Sequence, residues 1–171
     1  FEKLVNDNYY FVDKTKYLEL IENLNEPNLF FLRPRKFGKS LFISILQYYY
    51  GIEHKEKFEK LFGEYYIGRN PTPKANSYYV LKFDFSGIET EDSSSTFNSF
   101  VGCVRSGVEA FLRTYKLLNE KEYDEVLNQD RASEILRNLF VKIYSKTNNK
   151  KIYILIDEYD VPLETAYFNG F

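Results

Sequence analysis

The chain has 171 residues, of which 44% are hydrophobic and 28% charged, and its formal net charge is −2. These values fit one globular domain with a sizeable core, and they exclude wholesale disorder and a generally basic nucleic-acid-binding surface. The single cysteine, Cys103, excludes an internal disulfide framework and favours a reducing compartment. We therefore expect a cytoplasmic location and a core thiol rather than a nucleophile. No run of about eighteen apolar residues is present, so no membrane partner is expected.

The first predicted helix follows a strand-prone segment at residues 9–12. This helix is expected over residues 16–23, where the side chain of Asp13 or Thr15 can accept hydrogen bonds from the first free amides. Its apolar residues recur at helical spacing and predict one buried face, made of Tyr17, Leu20, Ile21 and Leu24.

A Gly-Lys-Ser triplet lies between an apolar run and a helical stretch. Residues 29–32 predict a buried strand, and residues 41–48 predict a helix that ends near Gly51. The loop between them, residues 33–40, ends in the triplet. A strand, a tight loop and a helix form the context in which such a triplet binds phosphate, although Arg33 stands where the usual P-loop pattern has its first glycine.

The middle of the chain predicts a short helix, a surface loop and a second strand. The helix covers residues 56–62, and the polar, proline-containing segment 63–77 is typical of a surface loop. Residues 78–85 predict a strand that is buried rather than alternating. His54, in a charged segment, is expected to be solvated.

Three helices and the most hydrophobic strand follow. The helices are predicted over residues 93–118, 120–128 and 132–145, and the strand over residues 152–156. A near-continuous apolar strand is typical of a parallel sheet that helices cover on both faces. The order of elements therefore predicts an α/β fold with three layers, in which crossover connections build a mostly parallel sheet covered by helices.

The triplet Gly38, Lys39 and Ser40 carries the chemistry of a phosphate site. Backbone amides at the start of a helix donate to phosphate oxygens, and the helix dipole adds positive potential. Gly38 lets the backbone approach closely, the Lys39 ammonium can bridge β- and γ-phosphate oxygens, and the Ser40 hydroxyl can ligate Mg²⁺. The triplet therefore predicts ATP and Mg²⁺ as ligands.

Two carboxylates at the end of the last predicted strand complete this chemistry. Mg²⁺ prefers hard oxygen ligands, so Asp157 is a candidate metal ligand that acts through water. Glu158, one residue on, is a candidate general base for the attacking water. The alternative is a strand that simply ends in solvent, and the triplet upstream argues against it. Asp160 is expected to cap a following helix, with a second acidic ligand as the alternative.

Three motifs together resemble a known family. They are Arg-Pro-Arg-Lys-Phe-Gly-Lys-Ser-Leu at 33–41, Tyr-Phe-Val-Asp-Lys-Thr at 10–15, and Leu-Ile-Asp-Glu-Tyr-Asp at 155–160, with Pro162 after the last. In this order they resemble the predicted AAA-ATPase-like family of bacteria and archaea, whose loop carries Arg-Pro-Arg at this place. The resemblance spans nearly the whole chain.

The resemblance implies a P-loop ATPase of the AAA-like type, with Walker A and Walker B motifs. It implies Ser40 and Asp157 as metal ligands, and Lys39 and Glu158 as catalytic residues. The implied nucleotide-binding residues are Arg33, Pro34, Arg35, Lys36, Phe37, Gly38, Lys39, Ser40 and Leu41.

We expect residues 1–171 to be the N-terminal portion of one such domain. The chain contains no Met, and the later core strands, a sensor residue and an arginine finger are not identifiable in it. Family members often carry a C-terminal nuclease-like domain of the PD-(D/E)XK kind, so nucleic acid is expected as a partner only through that absent domain. A homo-oligomer stays an open alternative.

Two groups of residues have two interpretations. Arg33, Arg35 and Lys36 either supplement binding of the nucleotide or of a partner phosphate, or they form a solvated positive rim. The segment around Asp13 either caps a helix or closes over the adenine, with one of residues 9–11 packing on the base.

The predicted function is Mg-dependent ATP binding and hydrolysis that drives a conformational change in a larger protein. One alternative is a small-molecule kinase, which would need an acceptor pocket and a lid. Another is an interaction module that binds ATP as a switch and hydrolyses little of it. Measurements of ATP binding and phosphate release distinguish these functions.

Overall fold

The computed structural model describes residues 1–32, 34, 36–89, 92–147 and 151–159. Within it the chain forms two compact units, the first covering Phe1–Tyr78 and the second beginning at Tyr79. Each unit has its own buried residues and is described separately below.

The first unit is helical in the residues described. Its elements are α1 (Glu2–Asn6), α2 (Lys16–Leu24), α3 (Lys39–Tyr50), a 3₁₀ helix (Ile52–Lys57), α4 (Phe58–Phe62) and α5 (Tyr66–Arg69). The predicted helices at 16–23 and 41–48 are confirmed as α2 and α3. The predicted helix at 56–62 is confirmed in part, because its first turn belongs to the 3₁₀ helix.

Buried aromatic rings form the centre of the first unit. Tyr49 and Phe62 are fully buried, and their ring centroids lie 5.6 Å apart in an edge-on arrangement. The buried hydroxyls have partners: the Tyr50 hydroxyl donates to the Glu22 carboxylate at 3.0 Å, and the Thr72 hydroxyl donates to the same oxygen at 2.8 Å. The Tyr49 hydroxyl accepts from the Thr72 amide at 2.8 Å. This network links α2 and α3 to the segment after α5.

The predicted strand at residues 29–32 is wrong. In the described residues neither this run nor the strand-prone segment 9–12 belongs to a strand, and Leu29, Phe30 and Leu32 are exposed. Phe31 is the exception, since its ring stacks on that of Phe42 with centroids 4.9 Å apart. The physical reason is that a strand needs a paired neighbour to satisfy its backbone groups, and apolar composition alone does not provide one.

The buried side of α2 also differs from the prediction. Leu18 is fully buried, whereas Tyr17, Leu20 and Leu24 of the predicted face are exposed. The helix instead contacts α5, which lies within the segment predicted as a surface loop. That segment is packed rather than solvated, because Ile67 is fully buried in it. A helical period shows that one side is apolar, but the neighbouring element decides which side is covered.

The second unit contains a parallel pair of strands. These are β1 (Tyr79–Asp84) and β2 (Ile152–Asp157), paired in register from Tyr79 opposite Ile152 to Asp84 opposite Asp157. Both elements confirm the predicted strands, but β2 is not buried on both faces as expected, because Ile154 is 48% and Ile156 43% exposed. The helices between them are α6 (Ser93–Tyr115), α7 (Glu120–Leu127) and α8 (Ala132–Ile143), which confirm the three predicted there.

Local capping explains where these helices begin and end. The Asp92 carboxylate accepts from the amides of Ser94 and Ser95 at the start of α6, and Asn119 forms a capping box with Glu122 at the start of α7. At the end of α6, Lys116 takes a left-handed conformation with φ of 50°, which stops the helix three residues before the predicted end.

Helix α6 packs directly on β1, and a glycine makes this possible. A Cβ atom at Gly107 would lie 2.6 Å from the carbonyl oxygen of Lys82 and 2.6 Å from the ring of Phe83. On the same helix Val104 and Val108 are buried. The described residues thus form an α/β protein with a small parallel sheet and packed helices. Within these ranges no helix is long and apolar enough to cross a membrane.

Candidate functional site

The loop before α3 is bent by two residues with left-handed backbone. The Phe37 amide donates to the Pro34 carbonyl at 3.3 Å, which closes a turn. Lys36 in this turn has φ of 66°, and Gly38 has φ of 80°. A lysine in this region is uncommon and costs free energy, a type of strain that concentrates at binding sites. Arg33 and Arg35, both predicted site residues, lie outside the described residues.

The triplet places backbone amides and a lysine at the start of a long helix. Gly38 is the N-cap of α3, and its carbonyl accepts from the Phe42 amide at 2.9 Å. Within the described residues no side chain caps this end. Lys39 and Leu41 are half-buried, while Ser40 is exposed. The positive end of a 12-residue helix and an adjoining ammonium favour an anion here.

Gly38 is required for its backbone conformation rather than for lack of space. A Cβ atom built on it would meet no atom within 4 Å among those described. Its φ of 80° is a region that residues with a side chain rarely adopt. The glycine therefore keeps the start of α3 open and sharply turned.

A cavity of about 190 Å³ borders this loop within the first unit. It lies between the segment before α2, the loop and the first turns of α3, and its surface is mainly apolar. Its lining residues are Leu4, Tyr10, Phe11, Val12, Lys14, Tyr17, Phe31, Phe37, Gly38, Leu41, Phe42 and Ile45.

In the second unit, the carboxyl end of β2 carries the predicted acidic pair. Asp157 is the last residue of the strand and only 4% exposed, although it is a carboxylate. The Glu158 amide donates to Asp157 Oδ1 at 3.1 Å, and Glu158 takes a left-handed conformation with φ of 52°. Burying a carboxylate is costly unless it is hydrogen-bonded, paired or bound to a metal. The alternative interpretation, a strand end that lies in solvent, is therefore not supported for Asp157.

The sheet adds a carboxylate that the sequence interpretation missed. Asp84 is the last residue of β1 and stands opposite Asp157 in the strand register. Its Oδ1 accepts from the Ser86 amide at 3.0 Å, and this hydrogen bond lowers the pKa of Asp84 more than burial raises it. The signal was available, because an aspartate lies within one residue of the end of each predicted strand of the second unit. Only the register shows that these residues are opposite each other.

The side chains predicted as magnesium ligands are of the chemical type that Mg²⁺ prefers. The Ser40 hydroxyl and the Asp157 carboxylate are hard oxygen ligands of the kind Mg²⁺ takes, with water completing its coordination. In the described part of the chain, no three His, Cys, Asp or Glu side chains cluster as a ready-made metal site. Each of these two side chains supplies only part of a coordination shell, so bound Mg²⁺ would need phosphate oxygens or water as further ligands.

Asp13 and Thr15 are helix caps, as predicted, but for a different helix. Asp13 accepts from the Thr15 amide and hydroxyl at 2.8 and 2.7 Å and from the Tyr66 amide at 2.7 Å. The buried Thr15 hydroxyl accepts from the Ile67 amide at 3.1 Å, so both side chains bind the first turn of α5. Burial acts to raise the pKa of Asp13, but these hydrogen bonds outweigh it and hold the pKa below its ordinary value.

His54 and Cys103 are the two other residues for which the sequence predicted an environment. The prediction that His54 is solvated is wrong, because its side chain is only 14% exposed and its ring packs on Tyr48. Burial lowers the pKa of His54 despite the Glu53 carboxylate 3.3 Å from Nε2. Cys103 is half-buried, and burial and the Asp84 charge raise the pKa of its thiol. A raised pKa disfavours the thiolate, consistent with a structural role.

A Gly-Lys-Ser loop at a helix start and an acidic end of a parallel strand are typical of P-loop nucleotide-binding proteins. A family described as "Predicted AAA-ATPase" matches residues 1–170, and the chain belongs to this AAA-ATPase-like family. The resemblance carried by the three motifs is thereby confirmed.

One relative is an "Uncharacterized protein in vnfD 5'region" from Azotobacter chroococcum mcd 1. It is 26% identical over 169 residues, an alignment that covers 92% of this chain and 27% of the relative. The chain thus spans about a quarter of the length of this relative. No solved structure matches the chain.

Proposed function

We propose that this chain is the N-terminal portion of one AAA-like P-loop ATPase domain that binds ATP with Mg²⁺. Hydrolysis of the ATP would drive a conformational change in a larger protein. The observation that carries the proposal is the left-handed Gly38 at the start of α3, followed directly by Lys39 and Ser40. Membership of the AAA-ATPase-like family supports nucleotide binding in general.

In this proposal the loop holds the triphosphate. The backbone amides of Lys36 and of residues 38–41 donate to phosphate oxygens, while the Phe37 amide and Pro34 carbonyl shape the turn. The dipole of α3 adds positive potential. The Lys39 ammonium neutralises charge on the β- and γ-phosphates. Arg33 and Arg35 are proposed to contact phosphate as well.

The acidic strand end and the serine supply the remaining chemistry. Ser40 and Asp157 are the proposed metal ligands, and Glu158 is the proposed base that orients and deprotonates the attacking water. Mg²⁺, when bound, shields the phosphate charge and polarises the γ-phosphoryl group. The buried position of Asp157 supports this role, because a bound cation compensates the cost of burying a carboxylate.

We further propose that the two strands described belong to a larger, mostly parallel sheet of the three-layer P-loop kind. The parallel register of β1 and β2 supports this, because all-parallel sheets occur mainly where helices cover both faces. The single cysteine supports a cytoplasmic location.

The test compares nucleotide binding with phosphate release in the full-length protein. ATP affinity with Mg²⁺ is measured by calorimetry and phosphate release by a coupled assay, for the wild type, Lys39→Ala and Glu158→Gln. Lys60→Ala and Glu120→Gln, two exposed side chains, are matched controls. We expect Lys39→Ala to lose binding, Glu158→Gln to keep binding but lose hydrolysis, and both controls to match the wild type.

Other outcomes distinguish the alternatives. Binding without phosphate release in the wild type would favour a nucleotide switch. Transfer of the γ-phosphate to a small molecule rather than water would favour a kinase. A wild-type protein that does not bind ATP would overturn the proposal.

A further inference from the structure

The cavity beside the phosphate loop contains exposed aromatic side chains. Tyr10 is 91% exposed and Phe37 is 63% exposed, although both line the cavity. Large apolar side chains left uncovered in a concave site indicate a surface that a ligand covers. The floor of the cavity is packed by contrast, since Phe42 and Ile45 are buried residues of α3.

Tyr10 belongs to the segment between α1 and α2, which lines one side of the cavity. This segment is held in place by contacts with the region around α5. The ring of Phe11 packs edge-on against that of Tyr65 with centroids 5.1 Å apart. Asp13 accepts the hydrogen bond from the Tyr66 amide at 2.7 Å. The segment between α1 and α2 is thus fixed to the region around α5, and this presents Tyr10, Val12 and Lys14 to the cavity.

The size and chemistry of the cavity restrict the ligand. Pockets that hold whole drug-sized molecules are about 300–1,000 Å³, so a cavity of about 190 Å³ fits one planar ring system rather than an entire nucleotide. Its lining is apolar and aromatic, and Lys14 contributes a hydrogen-bond donor. Gly38 belongs both to this lining and to the phosphate loop, so the cavity is continuous with the loop.

We propose that this cavity receives the base of the nucleotide. The inference rests on the proposed function, because it takes the phosphates to lie on the loop. The base stacks against Tyr10 and Phe37 above the floor of α3, and the Lys14 ammonium donates to an acceptor on the base edge. Recognition through the flat face of the ring is tolerant of base identity, because every base has a π face. The Tyr-Phe-Val-Asp-Lys-Thr motif therefore lines the site that binds the base. Asp13 in this motif is a positioning residue, because it fixes the segment through its hydrogen bonds.

The test separates base binding from phosphate binding with three probes. ATP, GTP and inorganic tripolyphosphate are titrated by calorimetry, each with Mg²⁺, into the full-length wild type and the variants Tyr10→Ala, Phe37→Ala and Tyr10→Phe. Tyr144→Ala is the matched control, since Tyr144 is 86% exposed and lies in the second unit. The side chains changed are all exposed, so folding is expected to survive.

We expect Tyr10→Ala and Phe37→Ala each to weaken ATP and GTP by roughly five-fold to a hundred-fold, the range that loss of one base–aromatic stack gives. Tripolyphosphate affinity is expected to stay unchanged in both variants. Tyr10→Phe keeps the ring and is expected to bind ATP with the affinity of the wild type. The control Tyr144→Ala is expected to do the same.

Three results would overturn the inference. The first is equal affinity of the wild type for ATP and tripolyphosphate, and the second is equal weakening of both probes by the alanine variants. The third is a preference between ATP and GTP above about a hundred-fold, because it would show that hydrogen bonds rather than stacking recognise the base. In each of these cases the proposed phosphate site would still be supported if the wild type binds tripolyphosphate and Lys39→Ala abolishes that binding. A wild type that binds none of the three probes would remove the proposed function itself.

Discussion

Residues 29–32 of the first unit and strand β2 of the second are two short apolar runs with different surroundings. Strand β2 pairs residue by residue with β1, and its Leu155 is buried, although Ile154 and Ile156 are exposed. In the run 29–32, Leu29, Phe30 and Leu32 are exposed, and within the described residues it pairs with no strand. The comparison teaches that composition makes a strand possible, while a neighbour that satisfies its backbone makes it stable.

The acidic strand ends and the Gly-Lys-Ser loop also differ in whether distant or neighbouring residues fix their positions. The positions of Asp84 and Asp157 are fixed by strand register, which depends on residues far apart in sequence. The Gly-Lys-Ser loop is shaped by local features instead, namely the turn from Pro34 to Phe37 and the left-handed Gly38. Substitutions in the two regions should therefore act in different ways, as the following predictions state.

The largest expected change in the free energy of unfolding comes from comparing alanine substitutions of one leucine in each run. Leu155→Ala, at a position 4% exposed, should lower the free energy of unfolding by about 2–5 kcal/mol, because it leaves a cavity in the core. Leu32→Ala, at a position 77% exposed, should change it by less than about 0.5 kcal/mol. Urea unfolding followed by circular dichroism measures both. Equal losses would show that residues 29–32 are buried in the native protein and would break the comparison.

A glycine pair on α6 tests how tightly the second unit is packed. Gly107→Ala should cost about 1–3 kcal/mol, because the added methyl group would lie 2.6 Å from the Lys82 carbonyl oxygen. Gly102→Ala on the same helix, where a Cβ meets nothing within 4 Å, should stabilise the protein by about 0.5–1 kcal/mol. Thermal unfolding of the two variants should therefore shift in opposite directions. A shift in the same direction would contradict direct packing of α6 on β1.

Thr15 tests the corresponding long-range contact in the first unit. Thr15→Val keeps the shape but removes the acceptor for the buried Ile67 amide, and should cost about 1–3 kcal/mol. Thr114→Val, at an exposed position of α6, is the matched control and should cost less than about 0.5 kcal/mol. Urea unfolding measures both. A neutral Thr15→Val would mean that α5 does not depend on this cap.

The smallest expected effect concerns acid stability. The pKa of Asp13 is lower in the folded protein than in the unfolded chain, so its contribution is present above about pH 4 and is lost as pH falls through the folded value. Asp13→Asn should therefore lower stability at neutral pH and make stability fall less steeply with acidification. Urea midpoints between about pH 2 and pH 6 measure the slope. Identical slopes in variant and wild type would contradict the hydrogen bonding of Asp13.

The local elements were predictable because their signals lie in neighbouring residues. The caps Asp92 and Asn119 and the apolar periods between them place α6 and α7 close to their predicted bounds. The Gly-Lys-Ser loop was recognisable for the same reason, since the turn and helix start need only adjacent residues. The face of α2 was not predictable, because α5 covers Leu18's side of the helix and α5 itself lay in a presumed loop.

The sequence by itself determined the family, the helix after the Gly-Lys-Ser loop and the acidic end of β2, because each depends on contiguous residues. Only the tertiary structure decided that Asp13 and Thr15 cap a helix 52 residues further on, and that Asp84 stands opposite Asp157. It also showed an aromatic cavity beside Gly38. These features need partners distant in the chain, and such pairings form when backbone groups and apolar surface find a neighbour on folding.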